Sequence, residues 1–452
     1  MASSERPTPG AGDCQPPPAC LSNGDVFRIL GLPDKFIIGL DAMAMTTSKS
    51  LPGFRDIPPG AHFLWVQQPD GVSRCGYWFV TGRHGVIHVK QWDKYEEVLR
   101  DAASEVEVHS QQNRLDVAYS TLQPYTLHNH REKTSTPPSH AHPIWARSPL
   151  GIWNTLASAI STQNLDRITG RQNGKDYFVD SLDSARDAHK GIGELNFLFA
   201  QDLRDLQVLD LGSLKSHVAD TSSRIQALLE STTTTNPFTE QDMLAELQFT
   251  FLTGTHLGNS ACLEQWWNLV LKIFLRAYGL AVSRPPLVSA ILQTLHAQLL
   301  YSEHYVGPSS SSSLSTSQGD QKVCGGEAKK DGPNRETPLF QYKPHNRERL
   351  RCMLAEYKAQ LHRKLSDFGK MTPALEKVGS AFEELETWLW QLGWDLRSES
   401  PGQSQKRPEG KNRVRRMEDM PPDDSEEDKD EMPVVVELDE EGREVGLVSW
   451  RD

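Results

Sequence analysis

The sequence predicts an α+β chain of two folded domains: an antiparallel, sandwich-like β-rich domain and, after it, an all-α domain. Three observations predict this. Between residues 25 and 92, apolar residues recur in short alternating runs, the period of half-buried strands. Between 213 and 397 they recur every three or four residues, the period of helices. Residues 1–23, 307–338 and 398–452 are Pro/Ser/Gly-rich or densely charged. Such stretches have too few apolar groups to build a core and are expected to be disordered, with 1–23, 307–338 and 398–432 cut first by proteases. The 452-residue length suits two or three domains. A hydrophobic content of 37% fits real cores diluted by such segments.

The elements follow in order. Residues 1–23 have no apolar stretch of the kind that targets secretion. The β-rich domain, 24–170, is expected to hold strands at Val26–Leu30, Phe36–Leu40, Ala61–Gln67, Tyr77–Val80 and Val86–Trp92. Alternation puts Phe63 and Trp65 on one face and His62, Leu64 and Val66 on the other. Turn signals at Pro69-Asp70-Gly71 and Arg83-His84-Gly85 predict that the last three strands form a meander. A helix is expected from Asp93 through DKYEEVLRDA, a His/Pro-rich loop over 128–148, and helical spacing through Trp153, Leu156, Ile160 and Leu165. Residues 171–212 read as a linker.

In the helical domain, 213–397, a helix over Leu214–Leu229 is followed by one starting at Thr239, an N-cap with Asp242 three residues on. That second helix carries Leu244, Leu247, Phe251 and Leu252 on one side. The strongest periodicity runs from Leu263 through Trp266, Trp267 and Val270 to Leu275. A fourth helix begins after Pro285-Pro286. Beyond the low-complexity insert come a helix through Leu350, Leu354 and Leu361 and another starting at Thr372-Pro373. The latter's stripe, Leu375 to Leu392, suits antiparallel pairing with the helix before it and ends at Gly393. Most tryptophans at helical spacing read as core, but Trp390 falls off the stripe and is a candidate exposed contact.

Charge and chemistry narrow the function. Residues 417–452 hold 15 Asp+Glu against 3 Lys+Arg, which accounts for the whole net charge of −12 and leaves the body neutral. This argues against a chain that coats nucleic acid. The six cysteines form no CxxC pair, so neither a disulfide framework nor a zinc site is expected, and the compartment reads as reducing. His128, His130, His140 and His142 are spaced too irregularly for a metal site. No apolar run approaches the roughly 20 residues of a membrane span. GxSxG, Walker, HExxH and CxxC motifs are all absent. No catalytic residue, cofactor or metal is therefore expected.

The tail holds the clearest binding signal. Val434, Val435, Val436, Glu437 and Leu438 form a β-prone run inside the acidic stretch. With no intrachain sheet expected nearby, 433–438 reads as a strand that adds to a partner's sheet edge. Ser425 sits in an acidic context suited to phosphorylation. KRPEGKNRVRR, 406–416, is either a targeting or RNA-contacting patch or a solvated linker.

Four ordered segments carry a resemblance. These are IIGLD with GFRDIPPGAHFLW (37–41 and 53–65), LAELQFTFLTGTHLGN (244–259), EQWWNLVLKIFLRA (264–277) and PVVVEL (433–438). Together they resemble the A1 cistron-splicing factor family, assembly factors of the U5 snRNP. The resemblance implies a β-rich domain packed on a VHS-like, solenoid-type helical domain. It implies a non-enzymatic chaperone of the nucleus and cytoplasm that acts in pre-mRNA splicing. The implied partner is the large U5 scaffold protein of the spliceosome, bound on its RNase H-like and Jab1/MPN-like domains and held inactive until maturation. Direct RNA binding and membrane association are not implied. Two readings from other classes stand beside it: an enzyme with an unrecognised site in the β-rich domain, and an RNA-binding adaptor using 406–416.

Overall fold

Val26, Phe27 and Ile29 are buried, and the chain enters them from Gly24 at a φ of 144°. This run forms β1 (Asp25–Leu30). The computed structural model describes residues 19–47, 51–69, 73–82, 85–102, 104–127, 143–170, 177–182, 184–185, 194–199, 220–230, 238–305, 339–340, 345–367 and 371–396. All lie within one unit, residues 1–400.

After β1 come β2 (Ile37–Leu40), β3 (Met43–Thr46), β4 (Gly53–Ile57), β5 (Gly60–Gln67), β6 (Arg74–Thr81), β7 (Ile87–Asp93) and β8 (Val98–Asp101). Helices α1 (Glu105–Asn113), α2 (Pro149–Leu156) and α3 (Thr162–Thr169) follow, then β9 (Tyr177–Asp180). Two sheets result. One runs β8-β7-β1-β4, with Gln123–Pro124 along its edge; the other runs β9-β6-β5-β2-β3. They stack face to face, with Phe27 of the first 5.2 Å from Phe79 of the second. The expected β-rich sandwich is present.

Its wiring departs from the expected meander. β5 and β6 pair antiparallel, with Phe63 opposite Trp78, but β7 crosses to the other sheet and pairs parallel with β1. The helix expected from Asp93 is instead a hairpin. Asp93 Oδ1 accepts from the Tyr95 and Glu96 amides (2.8 and 3.3 Å), Glu97 turns left-handed at φ 57°, and Lys90 pairs with Asp101 across the strands. Asp93 thus supplies an Asx turn where a helix was expected to begin. The helix starts later, at Ser104, whose hydroxyl accepts from the Glu107 amide. β9, within the segment read as linker, pairs with β6.

The helical region is as expected in class. It comprises α4 (Ser222–Glu230), α5 (Glu240–Leu257), α6 (Ser260–Asn268), α7 (Pro285–Tyr305), α8 (His345–Asp367) and α9 (Pro373–Gln391). Thr239 and Asp242 form the expected cap of α5 as a full capping box. Thr372 caps α9 ahead of Pro373, and Gly393 closes it at φ 79°.

Three details differ. First, α5 is buried on nearly all sides rather than along one stripe. Second, the tryptophan helix does not run evenly to Leu275: α6 passes into a π turn at Leu269–Ile273 and a 3₁₀ turn at Phe274–Arg276. The Ile273 and Arg276 carbonyls accept from the Thr221 hydroxyl (2.6 Å) and amide (3.2 Å), which diverts them from the helical ladder. Third, α9 packs chiefly along α7, with Trp388 5.4 Å from His296. It reaches α8 through Tyr357–Phe382 and the 2.6 Å Lys358–Glu386 pair.

Candidate functional site

The polar residues of α5 define the best-formed site. Asp242, Glu246, Gln248, Thr250, Thr253 and His256 are all buried on this one helix. Buried polar groups need partners, and most of these partners belong to the N-terminal domain.

Asp242 accepts from Asn164 of α3 at 2.7 Å and lies 3.1 Å from Arg167. The Glu246 carboxylate accepts from the Leu198 amide (2.7 Å) and from Gln265 Nε2 (2.9 Å). Burial drives the Glu246 carboxyl up to about 7 against those two bonds and the Arg167 charge. Gln248 accepts from the Ala159 amide (2.8 Å) and donates to Ser158 Oγ (2.9 Å) and the Thr155 carbonyl (3.1 Å). The Thr253 hydroxyl accepts from Trp78 Nε1 at 3.0 Å. The His256 carbonyl accepts from Arg74 Nη1 at 3.0 Å. Asn259, just past the helix, donates to the Asp180 carbonyl of β9 at 2.9 Å. One helix is thereby fastened to β6, β9, α3 and the loop after α2.

Apolar contacts close the same seam. Phe63, Trp65 and Trp78 present the outer face of β5 and β6 to α5. The His256 ring sits among Phe63, Trp65, Trp153 and Tyr301, with centroids 5.6–6.5 Å away. Its Nε2 lies 3.0 Å from Tyr301 Oη. Burial, with Arg74 nearby, pushes this imidazole down to about 3, so it is neutral at physiological pH. The Trp65 ring lies over Gly39 of β2, where any Cβ would collide with it.

A second cluster lies between the two sheets. Asp41, at φ 57°, accepts from the Phe63 amide (2.8 Å), His62 Nδ1 (2.7 Å) and Tyr125 Oη (2.7 Å). His62 Nε2 is 2.8 Å from the Pro58 carbonyl, which also accepts from Thr81 Oγ1 at 2.6 Å. An imidazole between two acceptors needs both N–H groups. Burial opposes that charge, but Asp41 and the Pro58 carbonyl outweigh it and hold the His62 value above the usual one. His62 is therefore a packed strand residue that ties the Pro58-Pro59-Gly60 turn to the core.

The residues singled out for partner contact fare differently. Trp390 is 55% exposed on α9, while Trp266, Trp267, Trp388 and Trp394 are buried. Val434, Val435, Val436, Glu437, Leu438, Ser425, the basic patch 406–416 and the histidines of 128–142 lie outside the described residues. The polar seam itself was missed. Its signal was available in EQDMLAELQFTFLTGTHL, where polar and apolar residues interleave without a solvent face.

The arrangement fastens the helix to the N-terminal domain. Among the described residues no group of His, Cys, Asp and Glu is placed to hold a metal. Burial pushes the Cys75 thiol up to about 12, and burial first, then the neighbouring carboxylates, raises Cys20 and Cys352, so none of these three favours the thiolate. Among the described residues no helix is long and apolar enough to cross a membrane.

Comparisons with known proteins point one way. A family model described as the AAR2 N-terminal domain matches residues 23–170, and one described as the AAR2 C-terminal repeat region matches 212–397. A Caenorhabditis elegans protein named Protein AAR2 homolog is 31% identical over 110 residues, which span 24% of this chain and 30% of that protein. A Macaca fascicularis protein of the same name is 21% identical over 313 residues, 61% of this chain and 75% of that one.

Proposed function

Because the chain belongs to the AAR2 family, the A1 cistron-splicing factors its motifs resemble, we propose that it is a non-enzymatic assembly chaperone acting in pre-mRNA splicing. It binds the large scaffold protein of the U5 snRNP, on that protein's RNase H-like and Jab1/MPN-like domains. It holds the scaffold inactive until maturation and works in the cytoplasm and nucleus.

One observation carries this reading. The two segments most typical of the family, around His62 and around Glu246–Gln248, are wholly occupied in fastening strands and domains together. The side chains of His62, Glu246 and Gln248 are buried, as suits a body that presents a fixed surface. The acidic tail supplies a second contact, with Val434–Leu438 adding to a sheet edge of the partner. Trp390 offers an exposed aromatic anchor on the body.

The test is association of the purified full chain with the scaffold's C-terminal region, without RNA and at moderate salt, read by gel filtration. A stable complex is expected. Absence of a complex removes the proposal, and binding seen only with RNA and lost steeply with salt favours the adaptor reading instead.

A further inference from the structure

A cleft of about 500 Å³ opens at one edge of the sandwich, between β7–β8 of one sheet and β6–β9 of the other. Its volume lies within the roughly 300–1,000 Å³ range of small-ligand pockets. Phe27, Tyr77, Phe79 and Tyr177 supply aromatic walls. Lys90 points inward among them. Only 9% of this residue is exposed, its Nζ lies 4.7 Å from the Tyr77 ring centroid, and it pairs at 2.9 Å with Asp101.

The two halves of that ion pair differ. The Lys90 side chain is 11% exposed and the Asp101 side chain 71% exposed. Asp101 can therefore swing into water at small cost, while Lys90 cannot. The other charged groups at the lining are His88, held by Asp25 at 2.9 Å, and Glu105 at the mouth. Exposed carboxylates are strongly screened, and a buried ammonium is not, so Lys90 decides which charge enters. Inward-pointing lysines do guard sheet edges, but that role needs no open volume beside the charge.

We propose that this cleft binds an aromatic carboxylate: its ring lies against the Tyr77 and Phe79 walls and its anion replaces Asp101 at Lys90. The same chemistry is offered by a free aromatic acid and by the C-terminal aromatic residue of a chain. The site is independent of the assembly role.

The experiment is calorimetric titration of the full chain with naphthalene-2-acetate, its neutral alcohol 2-(2-naphthyl)ethanol, and the amine 2-naphthylmethylamine. The acid is expected to bind best. Lys90→Met should weaken the acid about tenfold or more and leave the alcohol unchanged, which also reports an intact cleft. Asp101→Asn removes the competing anion and should tighten the acid several-fold. A second arm with N-acetyl-Gly-Trp and its amide separates the sources. Free-acid binding alone assigns a small molecule, and preference for the peptide carboxylate over its amide assigns a chain terminus. Tighter binding of the amine, no binding of any probe at millimolar concentration, or an Asp101→Asn variant that binds the acid more weakly overturns the proposal.

Discussion

Single residues here act by satisfying charge inside the protein. Asp41 is fully buried with three donors on it, and His62 is the charged one. His62→Ala leaves the carboxylate without its counter-charge, so a loss of about 3–5 kcal/mol is expected in urea unfolding at pH 6. Because the His62 value is raised on folding, its contribution is complete below about pH 6.5 and fades as pH climbs through the folded value. The gap between wild type and variant should therefore narrow in alkaline buffer; a constant gap would mean the ring does not titrate in that range. Glu246 makes stability fall with rising pH as well, but through a carboxyl that burial keeps protonated. Its carboxyl titrates near 7 when folded, above the 4.5 of a free side chain. The native state thus holds an extra proton between those values, and stability falls across that window as pH rises. Glu246→Gln should flatten the fall, an effect on the order of 3 kcal/mol, measured by unfolding at pH 4.5 and 8.

At the scale of elements, turn chemistry overrode periodicity at Asp93. Glu97 sits at φ 57° in the β7–β8 hairpin, a conformation costly for a side chain. Glu97→Gly should raise stability by up to about 1 kcal/mol, visible as a higher melting temperature. The caps at Thr239 and Thr372 were legible because capping is a local, residue-specific code. The parallel pairing of β1 with β7 was not, since no short window contains a long-range partner. The same limit hid the hydrogen bonds of Gln248, which reach 89 residues back to Ala159. The burial of Trp266 and exposure of Trp390 did follow from helical spacing. For the tail strand proposed above, Val436→Pro removes a backbone donor and should weaken scaffold binding more than Val436→Ala, which loses about 1–2 kcal/mol of side-chain burial. Equal losses would argue against strand addition.

At the scale of the whole molecule, the two family domains share one core. Apolar contacts run without a break from the sandwich into the helices, and α5 is hydrogen-bonded to both sides. Unfolding in urea should accordingly be a single transition, with tryptophan fluorescence and far-ultraviolet circular dichroism superimposing. Gln248→Met, which strands the Ala159 amide, should shift that whole transition by about 1–3 kcal/mol without splitting it. Two separated transitions in the wild type would show that the seam is weaker than its contacts imply.

The central place of α5 also has a consequence for synthesis. The sheet face bearing Phe63, Trp65 and Trp78 is complete once β6 leaves the ribosome, but the helix that covers it begins only at Glu240. At roughly 5–20 residues per second, three large aromatic rings stay wet for seconds in every newborn chain. A truncation ending before α5 would leave those rings uncovered permanently.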